Sequence, residues 1–448
     1  MNQTAHMALL DKFIKSKPGP LPNHPGRFSQ YHLSERQRLA WAKAQEYHLS
    51  ENYILAFEHI LRSLLTDGPF KNVDFNYTSE DVIEFTLYQG SSKIKGTYNA
   101  KLLQAGTRLA HASKPKEDLL HRLLVKNHEL EYTKFILTED NDILLQLIPS
   151  LANAQPEIII NSFKELSRMA DKQDDLLSLL FDQVELVELG HTDNRSSAEK
   201  ERQILFLQSE IKTILENIQE EDSIYQKLEY TQVYRIFNFI YAVDFLLTPQ
   251  GRLMESLEYM HRELHSNLDK NISAKVKRFS EELEKIADWN NEALNQELYK
   301  VFYTFNLTPR LTRSTIREII DNERQQLDWY IENGYEQLAQ HIVGYIFGYC
   351  LFNFTLPDPY KFLFRIYFQC IFPSCFETEE EQLVDSKGKL EPKNIQKAIK
   401  NVERSELWKA ASMKWPNKHK LDFSSMPSFA CSMLDNIYEM DFYEYADQ

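Results

Sequence analysis

Hydrophobic positions along the first third of the chain change period twice. The segment SERQRLAWAKAQEYHLSENYILAFEHILRSLL, from Ser34, reads as helix: Ser34 is an N-cap, and Leu55, His59 and Leu61 to Leu65 share a stripe. Asp67-Gly68-Pro69 stops it. From residue 72 the period becomes two, and VDFNYT, VIEFTLYQ and KIKGTYNAKL, separated by SED and GSS, predict three antiparallel strands. Lys116 to Leu130 returns to helical spacing, with Leu119, Leu120, Leu123, Leu124 and Val125 supplying a broad apolar face. Strands TKFILT and DILLQLIP follow, turned at Glu139 to Asp142, and a helix runs from Pro156 to Val187. The expected order is α-β-β-β-α-β-β-α around an antiparallel sheet.

From Ser197 onward the pattern is helical. Ile204, Leu207, Ile211, Ile214 and Ile218 alternate three- and four-residue steps and keep one seam facing a partner helix, until Glu221 breaks it. Two heptads fit an intramolecular pair better than a long coiled coil. Further helices are expected at 231–247, at 249–268 opened by Thr248-Pro249, and at 273–305, 314–332, 335–354 and 359–372, then a polar C-terminal tail. No fixed period relates them, so one irregular bundle is the plainer reading. The four prolines of KPGPLPNHPGRFS at 17–29 predict an extended linker. The expected division is an N-terminal extension 1–45, an α+β domain 46–190 and an all-α domain 197–448.

The leucine helix (Leu119, Leu120, Leu123, Leu124), the connector Asn127 to Tyr132 and the strands of Phe135, Leu137, Ile143, Leu145 and Leu147 form a pattern. In that element order it resembles the YbjN and type III secretion chaperone-like family, over residues 50–187. The resemblance implies a small, acidic, cofactor-free chaperone-like module, often a dimer, that holds a partner polypeptide against its sheet and helices. This chain departs from small family members in its N-terminal extension and in a C-terminal region larger than the module. Both departures count against a simple export-chaperone role.

Composition narrows the partners. The formal charge is −15, and the basic clusters KVKRF (275–279) and KWPNKHK (414–420) are short, so no stripe exists to neutralise phosphates and nucleic acid is not expected. Cys350, Cys370, Cys375 and Cys431 are sparse, which suits reduced thiols, and MNQTAHMALLDKFIKSKPGP lacks a secretory pattern. A cytoplasmic, bacterial setting is the expectation. The runs IVGYIFGYCLFNFTL (342–356) and YKFLFRIYFQCIF (360–372) are the most apolar. The first is too short to span a bilayer and the second carries Lys361, Arg365 and Gln369, so a buried hairpin is expected rather than membrane contact.

Searching for chemistry returns little. Neither phosphate-loop pattern occurs, a GxSxG elbow is absent, and HELEY at 128–132 lacks the second histidine of a zinc helix. Glu258, His261 and His265 in EYMHRELH could converge on a metal from one helix, but no second Glu-x-x-His helix completes a di-metal bundle. Cys370 and Cys375 do not match a structural zinc spacing, and the acids Glu139, Asp140 and Glu379 to Glu381 sit in polar runs. The reading is therefore a non-enzymatic adaptor or chaperone-like accessory factor with no cofactor and a protein partner, homodimerisation included. Its partner-binding candidates are Phe75, Tyr77, Phe85 and Leu87, whose alternation serves an internal core equally well. The alternatives are a metal-dependent enzyme built on Glu258, His261 and His265, and a membrane-peripheral scaffold using 342–372.

Overall fold

The fold is taken from a computed structural model, which describes residues 30–66, 71–148, 153–186, 192–193, 195–220, 223–266, 271–301, 303–376, 382–415 and 420–444. The proline-rich stretch 17–29, the stop at Asp67 to Pro69 and the acidic run Glu379 to Glu381 lie outside them.

Two helices, where one was expected, precede the sheet: α1 (Glu35–Leu49) and α2 (Tyr53–Leu64). Ser34 does cap α1, in a reciprocal box with Gln37. The break comes where Glu51 takes φ 60° and the Asn52 side chain accepts the Leu55 N–H to open α2. A strand meander follows, β1 (Val73–Ser79), β2 (Val82–Gln89), β3 (Ser92–Asn99) and β4 (Leu102–Ala112), so the expected three strands are four. KIKGTYNAKL is divided because the Asn99 side chain accepts the N–H groups of Lys101 and Leu102, turning the chain into β4. Then come α3 (Glu117–Glu129), β5 (Thr133–Leu137), β6 (Asp142–Leu147), α4 (Pro156–Leu180) and a short β7 (Val184–Leu186) where helix was expected.

The sheet is antiparallel in the order β1-β2-β3-β4-β6-β5, with β7 also paired to β4. Helices cover one face. There Phe57 stacks on Tyr98 at 4.0 Å between ring centroids and meets Phe85 at 5.3 Å, and Phe163 of α4 lies 5.5 Å from Phe85. The Phe85 ring lies over Gly96, its cross-strand partner; a Cβ at Gly96 would fall 2.3 Å from that ring. On α3 only Leu119 and Leu123 are buried, and Leu120, Leu124 and Val125 face solvent. The broad apolar face expected of this helix is therefore only half used.

The C-terminal region is mostly helical: α5 (Ser197–Gln219), α6 (Ile224–Lys227), α7 (Glu229–Leu247), α8 (Gly251–His265), α9 (Ile272–Ala287), α10 (Asn291–Glu297), α11 (Arg313–Glu332), α12 (Ala339–Asn353), α13 (Asp358–Ile371), α14 (Pro392–Glu403), α15 (Glu406–Ala410) and α16 (Met426–Glu439). The α5 seam, Ile204 to Ile218, is buried in the bundle. Helix α7 is apolar nearly all round and sits at the centre, where Gly344 and Gly348 of α12 approach it. Phe347 stacks on Phe364 at 4.2 Å inside the α12–α13 hairpin, and both are fully buried. Among the described residues no helix is long and apolar enough to cross a membrane.

Helix boundaries in this region depart from the pattern in places. Thr248 is a left-handed C-cap at φ 45°, so α8 starts at Gly251 behind Gln250 and not at Pro249. The expected helix 273–305 breaks at Asn290, whose side chain caps α10, and the chain then forms β9 (Lys300–Val301) against β8 (Thr192–Asp193). The polar tail is largely helical as well: Ile395, Ile399 and Val402 of α14, and Phe429, Met433, Leu434 and Ile437 of α16, join the core.

Two apolar cores result, and each borrows a residue from beyond its stretch of chain. Tyr31 belongs to the helical core, its hydroxyl donating to the Leu311 carbonyl at 2.9 Å. Phe305 and Ala44 belong to the sheet core. The Gln89 side chain fixes the junction by accepting the N–H groups of Thr304 (2.8 Å) and Phe305 (2.9 Å). The α+β unit thus draws on α1 and on residue 305, outside the expected 46–190.

Candidate functional site: the open face and edges of the sheet

The four sequence candidates separate by position. Phe85 (3% exposed) and Leu87 (0%) are core residues under the helices. Phe75 is half-buried beneath the Arg62 guanidinium, 5.4 Å above its ring, and Tyr77 is 42% exposed. Tyr77 Oη donates to Glu58 Oε2 at 2.6 Å. Burial alone pushes the Glu58 carboxyl up, but the bonds from Tyr77 and Arg62 outweigh it and hold the group below its usual range; the Tyr77 phenol is pushed up by burial and by Glu58.

Opposite the helices, the sheet carries a shallow trough of about 600 Å³. Its floor is the other side-chain register: Asp74, Asn76, Glu84, Thr86, Lys95, Thr97, Gln104, Arg108, Leu144 and Gln146. The pleat makes this set polar because it alternates with Val73, Phe75, Ile83, Phe85, Ile94 and Tyr98 on the helix side.

The two outer strands are treated differently. Ile148 N–H bonds the Tyr132 carbonyl, so Lys134 and Ile136 also bond inward and the backbones of Thr133, Phe135 and Leu137 point outward. Side chains meet both groups of Phe135 and the Thr133 N–H. Asn127 of α3 accepts the Phe135 N–H at 2.6 Å and donates to its carbonyl at 3.0 Å. Glu165 of α4 accepts the N–H groups of Glu131, Tyr132 and Thr133 at 2.9 to 3.0 Å. From Glu131 to Phe135 the β5 edge is largely covered without a strand.

At the other end, Tyr88 N–H bonds the Asn72 carbonyl, so Asp74 and Asn76 bond inward to β2 while Phe75 and Tyr77 turn their N–H and C=O groups outward. Among the described residues no hydrogen bond reaches these groups. Asn127, which entered the sequence pattern only as the start of the connector, and Glu165 make the difference, and neither announced this role in the sequence. Each is an ordinary polar residue on a helix, and its role exists only once the strand lies beside it.

The metal alternative meets other partners. Glu258 is paired with Lys172 of α4 at 2.8 Å and with Arg262 at 3.5 Å, which ties α8 to the sheet unit. His261 Nδ1 shares a hydrogen bond with the buried Tyr241 hydroxyl at 2.9 Å, and its ring lies 4.5 Å from Phe352 and 4.7 Å from His265. Burial, with His265 and Arg262 adding to it, lowers the His261 imidazole to about 4. Among the described residues no group of three His, Cys, Asp or Glu side chains could hold a metal ion. Cys350, Cys370 and Cys375 are buried and in no disulfide, and burial raises the thiols of Cys350 and Cys370. Comparison with family models, with curated proteins and with solved structures finds no match to this chain.

Proposed function

We propose that the chain is a non-enzymatic binding protein, a chaperone-like adaptor that takes an extended segment of a partner polypeptide along β1 and over the adjoining trough. One observation carries this reading: Asn127 and Glu165 meet the β5 edge from Glu131 to Phe135, whereas among the described residues no hydrogen bond reaches the outward Phe75 and Tyr77 backbone. An open edge is a template for another strand, whose main chain supplies affinity and whose alternate side chains supply selectivity. Kinship with YbjN-like chaperones belongs to the same proposal. It rests on the helix, connector and hairpin from Glu117 to Leu147, while the additional α1, β4 and β7 depart from that element order.

Peptides selected from a random display library on the full chain, then measured by fluorescence anisotropy, test it. Tyr77→Pro removes an outward N–H that the β2 ladder does not use, whereas Tyr77→Ala keeps it. Loss of binding of about tenfold in the proline variant, with a smaller effect in the alanine variant, is the expected result, on the scale of one lost hydrogen bond. Equal binding by wild type and Tyr77→Pro overturns the proposal, as does failure to select any peptide.

A further inference from the structure

We infer that a recess beside the β5 edge, at the junction of the two cores, binds a small organic phosphate. β5 and β1 are opposite ends of the sheet, so this site is separate from the strand-addition edge. The recess measures about 390 Å³, within the range of small-molecule sites. Helix α4 contributes Asn161, Lys164 and Arg168 at steps of three and four residues, which puts them on one helix face. Leu307, Pro309 and the Tyr132 ring supply an apolar wall for the organic body of a ligand. The guanidinium fork and the ammonium suit its phosphate.

The charge here is unbalanced, in a chain whose formal total is −15. Among the described residues neither Lys164 nor Arg168 has a hydrogen bond or an ion pair. Lys164 is half-buried, and its ammonium is pushed below its usual range by burial and then by Arg310, with no carboxylate acting the other way. Glu165 also lines the recess, but its oxygens accept the N–H groups of Glu131, Tyr132 and Thr133. Glu131 itself is exposed and is met by the Tyr132 hydroxyl. Lys164, Arg168 and Arg310 against Glu165 leave an excess of two positive charges, the match for a phosphate monoester, which carries about −1.5 to −2 at neutral pH. Like charges one helical turn apart are unfavourable by themselves, and an anion between them offsets the repulsion. The chain's own N-terminal extension cannot supply that anion. Gln30 N–H donates to Asn306 of the lining at 2.8 Å, and the residues before it bring Lys12, Lys15, Lys17 and Arg27 against Asp11.

Isothermal titration calorimetry of the full chain with phenyl phosphate, benzoate and inorganic phosphate, each alone, decides the matter. Phenyl phosphate is expected to bind saturably and at least about tenfold tighter than benzoate, as one further charge-assisted hydrogen bond gives. Inorganic phosphate, which lacks a ring to cover the apolar wall, binds more weakly. Lys164→Gln is expected to weaken phenyl phosphate binding by about tenfold or more, and to leave the melting temperature of the ligand-free chain unchanged or raised, because it removes an unpaired, partly desolvated charge. Arg168→Gln, an exposed change that the fold tolerates, weakens binding about threefold. Absence of saturable heat with phenyl phosphate overturns the inference, as does equal affinity for all three probes. Affinity unchanged in both variants places any binding elsewhere and overturns it too. A Lys164→Gln chain that melts at lower temperature, together with an Arg168→Gln chain that binds as wild type, makes Lys164 a structural residue and has the same consequence.

Discussion

Asn127 shows how much one side chain can decide. It satisfies both outward backbone groups of Phe135, a residue only 5% exposed. Asn127→Ala leaves them orphaned, and the expected cost is about 1–3 kcal/mol, read from denaturant melts. Asn127→Asp keeps an acceptor for the N–H and should lose less; an unchanged midpoint in the alanine variant would show that water closes this edge equally well. The glycines of α12 act through space and not through conformation. A Cβ at Gly348 would lie 2.4 Å from the Tyr241 Cβ, and one at Gly344 1.9 Å from Asn238 Oδ1. Gly348→Ala must therefore push α12 away from α7, costing roughly 1–3 kcal/mol, as overpacking does.

Among the elements, the C-terminal helices carry the least expected weight of packing. Phe429 lies 6.2 Å from Tyr367 between ring centroids, and Met433, Leu434 and Ile437 are fully buried or nearly so. Removing residues 377–448 would expose the surface of α12 and α13 against which these groups pack, an apolar loss of several side chains at about 1.5–3 kcal/mol each. That exceeds the usual stability of a domain. The truncated chain should fail to melt cooperatively in calorimetry; a normal cooperative transition would mean that α14 to α16 are dispensable. By contrast, the exposed half of α3, with Leu120, Leu124 and Val125, contributes little to the fold.

For the molecule as a whole, histidines that lose part or all of their hydration on folding set an acid limit, though only His341 is buried. Burial lowers His32, His59, His261, His265 and His341; His341, beside Arg235, is held well below its ordinary 6.5, and His261 falls to about 4. A depressed histidine takes its proton first in the unfolded chain. The stability present above pH 6.5 is consequently lost as pH falls from 6.5 toward 4. Glu323, raised by burial, works in the opposite direction but stands against five histidines. Melting temperature should be flat above pH 7 and fall steadily between pH 6.5 and 4.5, a window above the ordinary carboxylate titration. A melting temperature indifferent to pH across that window would contradict the assignment.

The sequence by itself determined what depends on neighbours along the chain. Period two marked β1, β2, β5 and β6, helical spacing marked the α5 seam and the hairpin, and the length and charges of residues 342–372 argued for an interior position. Tertiary structure decided what depends on neighbours across space. Strand β4 reads LLQAGTRLAHA, too small and mixed to announce itself, yet it is central because β3, β6 and β7 all pair with it. Phe75 and Phe85 look alike in sequence, and only the sheet order makes one an edge residue and the other core. Whether an edge is open cannot be read locally at all. It turns on which side chains, from residues 8 to 34 positions away in the case of Asn127 and Glu165, reach the outward backbone groups of a strand.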